Sequence, residues 1–210
     1  MSFVNDLNQL KGENLTCERG GRTLFTELNF SLESGQSMII QGENGAGKTS
    51  LLRIITGLSQ PEEGKVLWND ENIEDIAEQF QANLQYIGHL SAVKRELTVR
   101  ENLKLIMRLW PSDSSLSIPE LAELVGLRKR LSVTCSRLSA GQLRRVSLAR
   151  LFISVQKLWI LDEPLTALDV GFISTIEERL QQHLQTGGIV ILTTHRGIDL
   201  GNQETTYLTI

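Results

Sequence analysis

The 210-residue sequence contains no run of about 18 consecutive apolar residues, the length that a bilayer-spanning helix requires. Nothing in it is therefore expected to cross a membrane, and any membrane role is expected to pass through a partner. Cysteine occurs only twice, at Cys17 and Cys135, far apart and outside any paired motif. Two isolated thiols fit a reducing compartment, where they behave as small apolar residues. The three histidines stand apart from one another and from both cysteines, so no metal-ligand spacing occurs. Basic residues are not in excess: the formal net charge is −4, which argues against a general nucleic-acid binder. Short basic clusters at Arg128 to Arg130 and at Arg144 with Arg145 read as solvated helix faces. Met1 to Leu10 carries Asp6 and no long apolar stretch, so it is not expected to be a signal peptide. Neither internal repeats nor low-complexity tracts are found.

What is present is an ordinary globular composition, 40% apolar and 22% charged, in a length that suits one sizeable α/β domain with a full core. Strands are predicted over Asn14 to Glu18, Leu24 to Leu32 and Gln36 to Gln41, broken by Gly20-Gly21 and Ser34-Gly35. A glycine-rich turn leads into a predicted helix from Lys48 to about Gly57. After a turn at Pro61 to Gly64 comes a short strand, Lys65 to Trp68, and a further strand ends near Ile87. Helical periodicity then marks Val99 to Trp110, Ile118 to Gly126 and Ser139 to Val155, with a polar loop over Pro111 to Ser117. The last third alternates a strand, Leu158 to Leu161, a helix, Phe172 to Gln185, and a strand, Ile189 to Thr193. Strand runs that are apolar on both faces suggest a sheet covered on both sides. The expectation is a mixed α/β core with a helical subdomain inserted at about residues 90 to 154.

Gly42-Glu43-Asn44-Gly45-Ala46-Gly47-Lys48-Thr49, followed by Ser50, is a complete G-x-x-x-x-G-K-[ST] phosphate loop between a predicted strand and a predicted helix. Glycines let backbone N–H groups converge on phosphate oxygens, and the helix N-terminus adds partial positive charge. Lys48 is expected to reach the β- and γ-phosphates, and Thr49 to hold Mg²⁺ through its hydroxyl. The apolar strand Leu158-Trp159-Ile160-Leu161 ends in Asp162 and Glu163. Alone, a buried strand running into an acidic loop is common. Beside a phosphate loop it reads as a hydrolytic site, with Asp162 on Mg²⁺ and Glu163 polarising the attacking water.

Leu138-Ser139-Ala140-Gly141-Gln142 has two readings. Ser139 and Gln142 form a capping box, but a capping box has no need of Gly141, which costs a helix about 1 kcal/mol relative to alanine. Small residues at a helix start would instead allow close backbone approach to an anion. The pentapeptide resembles the signature of ABC-type ATPases, with Ala140 in place of one glycine. Ala167-Leu168-Asp169 resembles that family's D-loop, and His195, after Thr193-Thr194, its switch histidine. These motifs occur in the family's order, and the resemblance covers essentially the whole chain.

The resemblance implies the ABC nucleotide-binding fold across residues 1–210: a phosphate-loop core, an antiparallel β subdomain and the inserted helical subdomain. It implies a homodimer in which ATP and Mg²⁺ lie between Lys48, Thr49, Asp162, Glu163 and His195 of one copy and Ser139, Ala140, Gly141 and Gln142 of the other. Asp169 would lie at the dimer interface. Closure would act on separate transmembrane subunits. Two positions depart from the pattern. Arg19 stands where an aromatic residue stacks on adenine, a role that a planar guanidinium can also fill. His89 stands where a glutamine links the Mg²⁺ site to the membrane partner. Together with Thr16-Cys17-Glu18-Arg19, Ile87-Gly88-His89, Arg144-Arg145 and the stretch Gly187 to His195, these departures resemble the cytochrome c biogenesis ATP-binding export proteins, the ATPases of haem exporters. That family works on the cytoplasmic face of a bacterial inner membrane, in haem export or haem-chaperone release. An ATPase of another small-molecule or lipid exporter remains an alternative, distinguished by the membrane subunits that co-purify. A soluble ATP-switched clamp on ribosomes or DNA would carry paired ATP domains or long coiled-coil insertions, and neither occurs. A non-catalytic module in a heteromeric pair is opposed by the intact Glu163 and His195.

Overall fold

In chain order, β1 (Gln9–Arg19), β2 (Arg22–Glu33) and β3 (Ser37–Gln41) lead to α1 (Lys48–Ile55), followed by β4 (Glu63–Trp68), β5 (Glu71–Asn72), α2 (Ala77–Asn83) and β6 (Leu84–Ile87). Helices α3 (Val99–Leu109), α4 (Ile118–Leu124) and α5 (Ala140–Leu148) come next. The chain closes with β7 (Leu158–Leu161), α6 (Val170–Gln185), β8 (Ile189–Thr193) and β9 (Thr205–Thr209). This computed structural model describes residues 7–110 and 115–210. The reading of Met1 to Asp6, and the first part of the loop expected at Pro111 to Ser117, fall outside the described residues. The mixed α/β class expected from the sequence is the class observed.

Two compact units divide the chain: residues 1–86, 156–162 and 180–210 form one, and residues 87–155 and 163–179 the other. The first unit carries two sheets. One is antiparallel, in the order β2-β1-β4-β5. Its first hairpin turns on Gly20 and Gly21, both at positive φ (58° and 74°), which a two-residue hairpin loop of this hand requires. The other sheet has the order β6-β7-β8-β3-β9, with β7, β8, β3 and β9 parallel. All of β7 and β8 is buried, so both of their faces are covered, as their unbroken apolar runs require. Pairing of Ile40 with Thr193 and of Leu161 with Leu192 brings the C-terminal ends of β3, β7 and β8 to one edge. Open parallel sheets bind ligands at that edge.

In the second unit, three helices start with the same device. Thr98 with Glu101, Ser117 with Glu120, and Ser139 with Gln142 form reciprocal capping boxes, each cap contributing about 1 kcal/mol. The backbone and side-chain hydrogen bonds of Thr98 hold the Glu101 carboxyl below the usual carboxylate range, and Ser117 does the same for Glu120.

The elements differ from the sequence expectations in several places. β1 begins at Gln9, not Asn14, and carries irregularities near Leu15 and Cys17 that interrupt its alternation. Glu63 and Gly64, expected in a turn, open β4. The helix expected to run to Val155 is α-helical only to Leu148 and tightens into a 3-10 turn over Ala149–Phe152, a common way for a helix end to satisfy its last carbonyls. The seven-residue α2 escaped the periodicity reading because Phe80 is its one large apolar residue, too few to mark a face. β9 escaped it because Thr205-Thr206-Tyr207-Leu208-Thr209 is a polar, half-exposed strand with no apolar run.

Candidate functional site

The phosphate loop joins the end of β3 to the start of α1, as its sequence context implies. Gly47 occupies the N-cap of α1 at φ 116°, with the Leu24 side chain 3.1 Å from where a Cβ would stand. No side chain caps α1, and no carboxylate lies in its first turn. That contrasts with the capping boxes of α3, α4 and α5. The amides at the start of α1 are thus left for an anion, with the helix dipole behind them. Lys48 is buried and spans the loop, donating from Nζ to the Gly42 carbonyl (2.7 Å) and the Glu43 carbonyl (2.9 Å). An ammonium has three donors, so this grip still leaves capacity for a phosphate oxygen.

Asp162 follows β7 at the ligand edge and is 2% exposed. Its Oδ2 accepts from Thr49 Oγ1 (2.8 Å) and its Oδ1 from Thr193 Oγ1 (2.8 Å). Two hydroxyls therefore hold the carboxylate in one orientation. One of them belongs to the residue expected to share a cation with it. An all-oxygen pair of this kind suits a hard cation such as Mg²⁺, which keeps waters and phosphate oxygens in its remaining positions. Among the described residues no cluster of three or more His, Cys, Asp or Glu exists to form an all-protein metal site.

The remaining candidates of the first unit are near the surface. His195 is exposed after β8 and lines a cleft with Gln41, Gly42, Thr194, Arg196 and Tyr207. Arg19 stands exposed at the tip of the β1–β2 hairpin and donates to the Glu18 carbonyl (3.0 Å). Glu43, Asn44 and Gly45 are exposed on the loop, Ala46 and Ser50 half-buried. Thr193 reads in the sequence as an ordinary strand residue. Its role as a carboxylate partner becomes visible only through the β7–β8 register.

In the second unit, the capping box of α5 engages the Gln142 amide (Ser139 Oγ, 3.3 Å) and the Ser139 amide (Gln142 Oε1, 3.2 Å). The structure supplies a local reason for Gly141. A Cβ there would run into the carbonyl oxygen of Ala167, itself at φ 63°. Gly141→Ala gains about 1 kcal/mol of helix propensity, but forcing an atom against backbone costs about 1–3 kcal/mol. A fall in the urea or thermal midpoint is the expected result; a variant more stable than the parent would show that the Ala167 segment yields freely.

The Ala167 segment is also held from α5 by Arg145. Its guanidinium pairs with Asp169, donates to the Val125 carbonyl (3.3 Å) and lies 4.3 Å from the Phe172 ring centroid. Asp169 caps the next helix through the Phe172 amide (3.0 Å); that bond, with the Arg145 pair, keeps its carboxyl below the usual range. Glu163 is half-buried at φ 47°, with Thr166 Oγ1 donating to its Oε2 (3.3 Å). His89 is exposed and shares a cleft with Leu90, Ser91, Val93, Arg95, Ala140 and Leu143.

The structure corrects the reading of one basic cluster. Arg128 to Arg130 are exposed, but Arg144 is 5% exposed and Arg145 half-buried, so that second basic cluster is no solvated face. The signal was available: Arg144 lies on a helical stripe with Leu148 and Leu151, both buried.

Comparison with known proteins places the chain among nucleotide-driven transport proteins. A family model described as ABC transporter matches residues 25–166. The cytochrome c biogenesis ATP-binding export protein CcmA of Aliivibrio fischeri is 45% identical over 195 residues, covering 93% of this chain and 96% of that protein. Its counterparts in Escherichia coli and Vibrio vulnificus are 43% and 48% identical over 94% and 89% of this chain, and over 94% and 92% of their own lengths. Among solved structures, an ATP-binding subunit of an ABC transporter superposes with TM-score 0.75 at 27% identity, covering 89% of this chain and 79% of that one. A dimeric ATP-binding cassette in a post-hydrolysis state, bound to ADP and Pi, has the same fold (TM-score 0.72, 23% identity, 89% and 88% covered).

Proposed function

The chain belongs to the ABC transporter family of ATP-binding proteins, and from that premise we propose that it hydrolyses ATP to drive a membrane complex of cytochrome c biogenesis. The Thr49–Asp162–Thr193 chain of hydrogen bonds beside the phosphate loop carries the hydrolytic part of this reading. Identity of 43–48% to cytochrome c biogenesis ATP-binding export proteins along nearly their whole length supports the cellular part. The proposed site works as a homodimer on the cytoplasmic face of a bacterial inner membrane.

In this reading, the α1 amides and Lys48 bind the phosphates, and Thr49 with Asp162 holds Mg²⁺. The cation would neutralise charge on the β- and γ-oxygens. Glu163, peptide-bonded to Asp162, polarises the attacking water, and His195 senses the γ-phosphate. Ser139, Ala140, Gly141 and Gln142 serve the nucleotide of the second copy, and Asp169 lies toward that copy. Arg19 stacks on adenine, and His89 takes the coupling place of a glutamine. Among the described residues no helix is long and apolar enough to cross a membrane, so separate transmembrane subunits complete the complex.

The test is capture of the tagged full-length chain from membranes, paired with deletion of its gene. Multispanning membrane proteins should co-purify with it, and the deletion strain should lack haem-bearing c-type cytochromes. Normal cytochrome c content in that strain would remove the assignment to this process and leave only a transport ATPase.

A further inference from the structure

We infer that Arg144 is a positioning residue that couples the His89 loop to the backbone of Glu163. The inference rests on the reading of Glu163 as the residue that polarises water. Arg144 is 5% exposed, and its guanidinium reaches two separate segments of its own unit. It donates from Nε to the Pro164 carbonyl (3.2 Å) and from Nη2 to the Glu163 carbonyl (3.0 Å). From Nη1 it donates to the carbonyls of Gly88 (2.9 Å) and His89 (3.5 Å). A guanidinium is a rigid planar fork, so these bonds are geometrically linked: a shift of the His89 loop turns the plane that also holds Glu163.

The Glu163 end is sensitive to such a shift. At φ 47° its backbone is left-handed, a conformation that a non-glycine residue keeps only when its surroundings impose it. Arg144 grips both peptide carbonyls on the C-terminal side of this residue, and so fixes the direction in which the Glu163 side chain leaves the backbone. The other end is open to outside influence. Leu90, next to His89, is 85% exposed at the rim of a cleft walled by Ala140 and Leu143 of the same helix that carries Arg144. Anything seated there would load the Gly88 and His89 carbonyls and, through one side chain, Glu163. The bland alternative is that Arg144 merely satisfies buried carbonyls and contributes only stability.

The experiment uses the complex captured through a tag on this chain. It compares steady-state ATPase kinetics and binding of a fluorescent ATP analogue for the parent, Arg144→Lys, Arg144→Gln and Glu163→Gln. Lysine keeps the charge but not the planar fork. Arg144→Lys should leave ATP affinity and KM within about two-fold while kcat falls roughly tenfold, in the manner of a lost transition-state interaction. Leu90→Gly, which loosens the peptide after His89, should lower kcat in the parent yet add nothing in the Arg144→Lys background, the non-additivity expected of a shared path. A merely structural Arg144 would lower thermal midpoint, affinity and kcat together and leave the two effects multiplicative; that outcome overturns the inference. So does an unchanged kcat in Arg144→Lys while Glu163→Gln is inactive, which spares the reading of Glu163. An active Glu163→Gln overturns both. Should the Arg144 variants not fold, Leu90→Gly in the parent decides: amide exchange at residues 163–168 should accelerate, and unchanged exchange refutes the coupling.

Discussion

Glu163→Gln should bind ATP with the affinity of the parent while its hydrolysis falls by about 10²–10⁴-fold, the usual contribution of a positioned general base. That loss corresponds to a barrier higher by about 2.7–5.5 kcal/mol. Binding should survive because the substitution leaves unchanged the groups assigned to the phosphates, the α1 amides and Lys48, which the Gly42 and Glu43 carbonyls hold. Glutamine preserves volume and can still accept from Thr166, so the substitution removes basicity with little else. An ATP-bound dimer should accumulate, since reopening requires departure of the γ-phosphate. Equal ATPase rates in the two proteins would take Glu163 out of the mechanism.

Lys48→Ala should fail one step earlier, at binding. Hydrogen bonds to charged groups contribute about 1.5–3 kcal/mol, so ATP affinity should fall about 10- to 150-fold, measured by titration with non-hydrolysed analogue. The alanine also releases the Gly42 and Glu43 carbonyls that Lys48 bridges. The loop itself should therefore loosen, and affinity for ADP should fall as well. A variant that loses ATP affinity but keeps that for ADP would confine Lys48 to the γ-phosphate. Unchanged affinity for both would remove it from the site. The two variants together should separate capture from chemistry: one binds normally and turns over slowly, the other binds weakly.

Much of the local geometry of the candidate site was legible from residue order alone. A phosphate loop is a local device: its glycines, its lysine and the helix that follows are contiguous, so the chain from Gly42 to Thr49 specifies it without tertiary help. The same holds for the capping box at Ser139, read from its partner Gln142 three residues on. Fully apolar runs such as Leu158–Leu161 announced a sheet covered on both sides because only burial on both faces tolerates them. The polar strand β9 and the short α2 were not legible, since neither carries an apolar period.

Gly141 and Arg144 show the limit from the other side. Both stood in the sequence as members of a motif, and each had a local reading: a small residue for close approach to an anion, and a solvated basic face. Their partners, Ala167 in one case and Gly88, His89, Glu163 and Pro164 in the other, are distant in the chain. Neither composition nor periodicity encodes a contact of that range. By itself the sequence determined which residue types stand in the phosphate loop and at the end of the acidic strand, because those are properties of residue order and of spacing within one turn. The tertiary structure alone decided which of them meet. Thr193 reaches Asp162 only because β8 lies between β7 and β3 in register, and Arg144 is buried only because α5 packs against the segments whose carbonyls it satisfies. Strand order and helix packing are set by burial of the whole apolar surface, a sum over the chain that no single motif contains.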